Sequence, residues 1–399
     1  MRHNFLNKNA LLAGLSIAAL GFSSCLDKGD ESIILENSMS QLVADIPSDD
    51  MATPNPTVNN PTTTLPNATC SVEKNGDGIY VASINMTGVW NEDAEDWLKL
   101  YGTAYDKQNV WVSVDGNPKG IDVYNTADGE GARTVSADLV FLVDHSGSMG
   151  DEANGLANQV VAWSQKLAQS GLDIRFGCVG YGESPYSNTS LGGALNLTTA
   201  TELKTYFDRS YGVSRTKGFY GSDAATLQAK ATSGNYNNGS SYAECGMVAL
   251  RFADDNFAFR NGSNRIYVNF TDEPNQPNGN QKWSVEALKT NIWNTSKGTI
   301  HTVWSGGNYT SWTSLSDENP KLMSTYTGGT SKDVNASFTN VTLDDLPVTG
   351  AMQNSYIIRF TNISEFMDGQ PHVVKVTVVS NDGKVQAEKE FYVIFGVAE

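Results

Sequence analysis

The alternation of apolar and polar positions changes character twice along the chain. Up to residue 126 it has the two-residue period of half-buried strands. Ile79–Met86 alternates, Val110–Val114 does so with branched and aromatic residues, and Asp115-Gly116 with Pro118 turns the chain into Ile121–Tyr124. Between them, Asp93–Leu100 reads as one or two helical turns. From residue 137 the apolar runs become continuous. Leu139–Val143 is wholly apolar, as expected of a strand covered on both faces. A helical period follows in Leu156, Val160, Trp163 and Leu167, stopped by Ser170-Gly171. Strands at Ile174–Tyr181, Ile266–Phe270 and Ile300–Trp304 then alternate with helices at Thr201–Phe207, Ala243–Phe252, Val285–Trp293 and Pro320–Tyr326, the last ending at Gly328-Gly329. This alternation predicts an α/β unit with a doubly wound, mainly parallel sheet. Beyond residue 354 the period of two returns in Tyr356–Phe360, Val373–Val379 and Val385–Phe395, with Asn381-Asp382-Gly383 as a hairpin turn. The two β-rich segments, 70–136 and 354–399, are expected to join in one antiparallel β-sandwich, with residues 137–353 inserted between them.

Two N-terminal stretches stand outside this pattern. In residues 1–24, Arg2 and Lys8 accompany an apolar run, Leu11–Leu20, too short to span a bilayer with those flanks, so the stretch reads as an export signal. Its end, Phe22-Ser23-Ser24-Cys25, resembles a bacterial lipoprotein signal, which implies that Cys25 is the acylated first residue of the mature chain. The acidic run Asp27–Glu31 is similar to the tails of surface-exported lipoproteins. The resemblance implies a lipid anchor in the bacterial outer membrane or at the cell surface. Residues 25–69 form an acidic and Pro/Thr/Asn-rich linker, and five of the 12 prolines (Pro47, Pro54, Pro56, Pro61, Pro66) lie in its second half. Such a stretch is expected to stay extended and hold the folded part off the membrane. Beyond it remain Cys70, Cys178 and Cys245, an odd count that argues against a disulfide framework. Cys178 and Cys245 read as buried small residues, with a bridge between them left open.

Composition narrows the function classes. Apolar residues make up 39% of the 399 and charged residues 18%, which excludes a disordered or coiled-coil chain. The 44 acidic residues outnumber 27 basic ones, a net charge of −17. That field excludes nucleic acid as a partner and repels an anionic membrane surface.

The chemistry concentrates where strands end. In an open α/β sheet, ligands bind beyond the carboxyl ends of the strands. Two central strands here end in aspartate, Asp144 and Asp272. In Asp144-x-Ser146-x-Ser148, one turning loop aims a carboxylate and two hydroxyls at a common point. These hard oxygen donors suit Mg²⁺, Mn²⁺ or Ca²⁺.

Residues 137–333 resemble a von Willebrand factor type A domain, with Asp144-His145-Ser146-Gly147-Ser148-Met149 as its metal-ion-dependent adhesion site. The resemblance implies a divalent ion, Mg²⁺ before Mn²⁺ or Ca²⁺, on Asp144, Ser146, Ser148 and Asp272, with a fifth contact from the loop Gly239–Glu244. There Ser241 takes the position of the family's threonine, with Ser240 as competitor. Leu322–Gly329 is similar to the family's last helix. Family members complete the ion with a carboxylate from the partner, so the implied partner is an extracellular or envelope protein or glycan with an acidic group. His145, Tyr186, Tyr220, Tyr242 and Glu273 are the candidate ligand contacts. The aromatics of 183–240 and Trp304, Tyr309 and Trp312 read either as further anchors or as packing. The alternative is a structural or accessory envelope lipoprotein whose A-type domain docks in a multiprotein complex and whose metal, if held, only braces the loop.

An enzyme is not expected. His145 adjoins Ser146, but neighbours on a strand-end loop point apart and no G-x-S-x-G elbow occurs. HExxH, Walker A, GxGxxG and CxxC patterns do not occur either. His301 and His372 lie in strands and read as satisfied structural histidines.

Overall fold

A computed structural model describes residues 46–104, 106–126, 136–168, 173–184, 188–208, 221–222, 229–230, 234–289, 293, 297–307, 318–335, 342 and 346–397. The signal segment and Cys25 lie outside these.

The first β-rich segment gives β1 (Ala68–Lys74), β2 (Tyr80–Met86), β3 (Trp90–Asn91), β4 (Asp96–Trp97), β5 (Val110–Val114), β6 (Asn117–Lys119) and β7 (Asp122–Asn125). The helical turns expected over Asp93–Leu100 are replaced by the small hairpin β3–β4, in which Trp90 faces Trp97. Its ring pair, 5.2 Å apart and edge-on, holds together what the polar spacing between the tryptophans resembles as a helix.

The α/β unit runs β8 (Ser136–Asp144), α1 (Gly150–Ala168), β9 (Asp173–Tyr181), β10 (Leu191–Thr198), α2 (Ala200–Asp208), β11 (Gly221–Ser222), α3 (Gly246–Asn256), β12 (Asn264–Thr271), β13 (Thr299–Trp304), α4 (Lys321–Thr327), β14 (Ser331–Asp333) and α5 (Pro347–Gln353). The sheet order is β11-β10-β9-β8-β12-β13-β14. All pairings are parallel except β9 with β10, which run antiparallel. Helices cover both faces. The apolar stripe of α1 (Leu156, Val160, Trp163, Leu167) joins Phe141, Phe176 and Phe270 on one side. The first turns of α3, from Met247 to Leu250, join Val140, Leu142 and Tyr267 on the other. A strand buried from both sides must be apolar throughout, which is why β8 reads as a continuous run. The helix expected over Val285–Trp293 is a short 3₁₀ segment, Val285–Lys289. Strand β10 carries the glycines Gly192 and Gly193, which hid it from the pattern.

The last segment supplies β15 (Tyr356–Phe360), β16 (His372–Val379) and β17 (Gln386–Val393). They join the first segment in two four-stranded sheets, ordered β1-β2-β15-β7 and β17-β16-β5-β6. Ile84, Val112, Ile358, Val376 and Phe391 share one core, so the segments before and after the α/β unit form one folded body. At the neck between the two bodies, the Thr126 N–H and hydroxyl both donate to Ser355 O, at 2.9 and 2.7 Å.

The expected free spacer is corrected for its second half. Residues 46–67 lie against the folded bodies. Asp49 accepts from Lys119 Nζ (3.1 Å) and from Gly120 N (2.9 Å). Asn55 donates to Thr377, and Thr62 N to Gln386 O. Leu65 is buried completely, and Asn67 bonds Gly298 O and Thr327 O of the α/β unit. Prolines keep this strap extended, and extension presents its polar groups to partners along two surfaces. Among the described residues no helix is long and apolar enough to cross a membrane. Cys70, Cys178 and Cys245 are free thiols, so the bridge left open does not form.

Candidate metal centre

The chain leaves β8 toward β9 on one side and later returns to β12 on the other, so the crevice of the sheet opens at the carboxyl ends of β8 and β12. Asp144 closes β8 and Thr271 closes β12. The two are tied: Thr271 Oγ1 donates to Asp144 Oδ2 at 2.9 Å, while Ser146 N donates to Asp144 Oδ1 at 3.0 Å. Ser146 and Ser148 share a hydroxyl–hydroxyl bond of 2.9 Å, and Ser148 Oγ donates to Asp272 Oδ1 at 3.3 Å. Five residues from two stretches more than 120 positions apart thus meet in one hydrogen-bonded string.

The third acid is Glu244, in the turn ahead of α3. Oxygens of Asp144, Glu244 and Asp272 all lie within 4.8 Å of one another. Glu244 is fixed by its backbone, whose carbonyl accepts from Gln276 N at 3.0 Å, and its Oε2 is buried with no hydrogen-bond partner. Gly182, at φ +96°, lets Asp144 and Glu244 close over it; a Cβ there would stand 2.6 Å from Asp144 Oδ1 and 3.3 Å from Glu244 Cγ.

The electrostatics are unfavourable without a counter-charge. Burial first, and then the charge of Asp272, pushes Asp144 up to about 7. Burial, Asp144 and Glu273 push Glu244 up to about 9. Burial raises Asp272 as well, against the hydrogen bond from Ser148. Three carboxylates and two hydroxyls around one point, with a buried unpartnered oxygen among them, make a group that could hold a hard divalent cation.

The sequence reading passed over Glu244 in favour of Ser241. Ser241 is held through its backbone, its carbonyl accepting from Ser184 N at 2.9 Å, and Ser240 Oγ accepts from Tyr242 N at 3.1 Å. The signal that marks Glu244 is its place directly before a helix whose first turns are entirely buried, which aims an acid at the strand ends.

Among the candidate ligand contacts, Tyr242 is 73% exposed. Glu273 is half-buried, its carboxylate accepting from Gln276 Nε2. His145 is corrected: it is fully buried, its ring rests against Gly192, and burial pushes it down to about 4. A fully buried His contacts no external partner. Tyr186 and Tyr220 lie outside the described residues, as do Tyr309 and Trp312. Tyr206, Phe207, Tyr236 and Trp304 are buried packing residues.

No family model matches the sequence, and no curated protein matches it. Among solved structures, one crystal structure of the pilus adhesin SpaC from Lactobacillus rhamnosus GG aligns at 11% identity over 82% of this chain and 56% of that one, with a TM-score of 0.35. Its open conformation aligns at 13% identity over 86% and 55%, TM-score 0.33. Proximal thread matrix protein 1 from the mussel byssus aligns at 10% identity over 59% and 49%, TM-score 0.33. This chain spans about half the length of each of these.

Proposed function

We propose that the chain is a lipid-anchored bacterial surface protein whose α/β unit is a von Willebrand factor type A domain, gripping an acidic group of a protein or glycan partner through a divalent cation. The observation that carries the reading is the convergence of Asp144, Glu244 and Asp272 with Ser146 and Ser148 at the crevice of the sheet. A bound cation supplies the positive charge that an acidic partner needs against the field of a −17 chain. The residues around it have separable tasks. Thr271 and the Ser146 N–H hold Asp144 in place; Ser148 orients Asp272. Glu244 fills the position that a partner's carboxylate would take, so it acts as an internal competitor. Cys25 is the proposed anchor.

The alternative, an envelope lipoprotein whose cation only braces the loop, is favoured by the same residue: with Glu244 ionised, three carboxylates over-neutralise a divalent ion and leave no charge for a partner. Calorimetric titration of the EDTA-treated protein with MgCl₂, MnCl₂ and CaCl₂, followed by a glutamate-containing peptide, separates the two. In the adhesive reading, Glu244→Gln weakens the metal but tightens the peptide, and Asp144→Ala abolishes both. Metal binding with no peptide response in either protein selects the bracing role. No metal response at all overturns the centre.

A further inference from the structure

A second cavity lies at the junction of the two folded bodies, away from the metal centre and sharing no residue with it. It measures about 350 Å³ and is lined by Trp90 and Trp97 of the β3–β4 hairpin, by the strap at Thr62–Thr64, and by His301, Thr325 and Thr330 of the α/β unit. That volume is at the small end of the roughly 300–1,000 Å³ typical of ligand sites, which favour domain junctions. Its lining residues carry no charged side chain.

His301 is the informative member. It sits on β13, is 3% exposed, and burial pushes it down to about 3, so the ring is neutral. Its Nδ1 receives the backbone N–H of Thr330 at 3.1 Å and lies 2.8 Å from Thr330 Oγ1. A backbone N–H can only donate, so Nδ1 is the acceptor and the ring proton is on Nε2. Nε2 is buried and has no hydrogen-bond partner. His301, one of the lining residues, therefore carries a preorganised, buried donor that lacks an acceptor, and buried donors are rarely left so. The aromatic wall is equally fixed. Trp97 rests on two glycines; a Cβ at Gly88 or at Gly350 would come within 2.7 Å of its ring. Trp90, 36% exposed, stands edge-on to it at the rim, its indole N–H occupied by Glu92.

We propose that this cavity binds a neutral saccharide unit, with an apolar sugar face against the tryptophans and a sugar oxygen accepting from His301 Nε2–H. An anion finds no cation among the lining residues, and a purely apolar ligand leaves the imidazole donor unmet. A sugar satisfies both, and the threonine hydroxyls meet its remaining hydroxyls.

Saturation-transfer NMR and calorimetry of the full chain with glucose, galactose, mannose and N-acetylglucosamine test it. At least one sugar is expected to bind, with contacts on one ring face. His301→Leu should weaken it tenfold or more, and Thr325→Trp, an exposed rim change that fills the cavity, should abolish it; unchanged thermal unfolding of Thr325→Trp shows the fold is retained. EDTA and Asp144→Ala should leave sugar binding intact. Failure of all four sugars to bind overturns the proposal. So does sugar binding that EDTA removes and His301→Leu does not, which would place the sugar at the metal centre.

Discussion

Replacing Asp144 by Asn has opposite effects with and without metal. Oxygens of the three acids lie within 4.8 Å of one another, and at that limit two unit charges repel by about 3.5 kcal/mol at an effective dielectric near 20. The lift of Asp144 from 3.8 to about 7 corresponds to about 4 kcal/mol at 1.36 per unit. Burial makes up the largest part of that lift, and the charge of Asp272 adds to it. An amide keeps the shape but accepts more weakly from Ser146 N and Thr271, a loss of about 1 kcal/mol. In EDTA at pH 7.5, Asp144→Asn should therefore be the more stable protein by about 2–3 kcal/mol, raising the unfolding midpoint of the α/β unit by about 5–10 °C. Metal at one hundred times its dissociation constant should stabilise the wild type by about 2.7 kcal/mol and the variant not at all. The pH dependence has a defined sign. Because the folded-state pKa of Asp144 stands above its unfolded value, the folded state binds the extra proton, and metal-free stability falls as pH climbs from about 4 to about 7. Asp144→Asn should flatten that slope. Differential scanning fluorimetry across pH, with and without MgCl₂, reads all of this. A variant less stable than wild type in EDTA, or one that responds equally to metal, refutes the reasoning.

Three further outcomes are expected. Asp138 is fully buried and accepts from Arg260 N, Arg260 Nε (2.8 Å) and Ser263 Oγ (2.6 Å), so Asp138→Ala should cost about 3 kcal/mol in urea unfolding, the low end for a broken buried pair because Arg260 keeps Asp173. Gly182→Ala combines φ +96° with a Cβ 2.6 Å from Asp144 Oδ1; it should destabilise by about 2–4 kcal/mol and weaken metal binding, and a neutral result in calorimetry would deny the close approach. His372 is raised above 6.5 by Asp115 first and Asp368 with it, so their contribution is full below pH 6.5 and fades as pH rises through the higher folded value; His372→Gln should remove this small, solvent-screened dependence from the unfolding profile.

The parts of the fold legible in the sequence are those where one physical demand dominates. Strand β8 must be apolar on both faces, and α1 on one, so both show their period. Asp144, Ser146 and Ser148 are close in sequence and fall on one loop. Elements shaped by tertiary contact were hidden. Glycine-rich β10 and the two-residue strands of the Trp90–Trp97 hairpin carry no periodic signal, and the strap looks like a linker because its partners are 50 to more than 300 residues away. Glu244 was obscured for the same reason: its role arises from where α3 begins, not from its neighbours in sequence.

The neck at Thr126 and Ser355 has a consequence for how the protein is made. Synthesis is vectorial, so β2, β5 and β7 emerge more than 200 residues before β15 and β16, the strands they must pair with. The α/β unit takes both sides of its central crevice from residues 136–271 and can close its sheet while the first body still waits, edges open, for its other half. At the same time, a neck whose two chains touch makes residues 127–354 a cassette. Joining Thr126 to Ser355 by a short turn should give a body of two four-stranded sheets and the β3–β4 hairpin that folds without the rest, while the excised unit can be read on its own. The two halves of the molecule are thus interdependent in birth order and separable in the finished product.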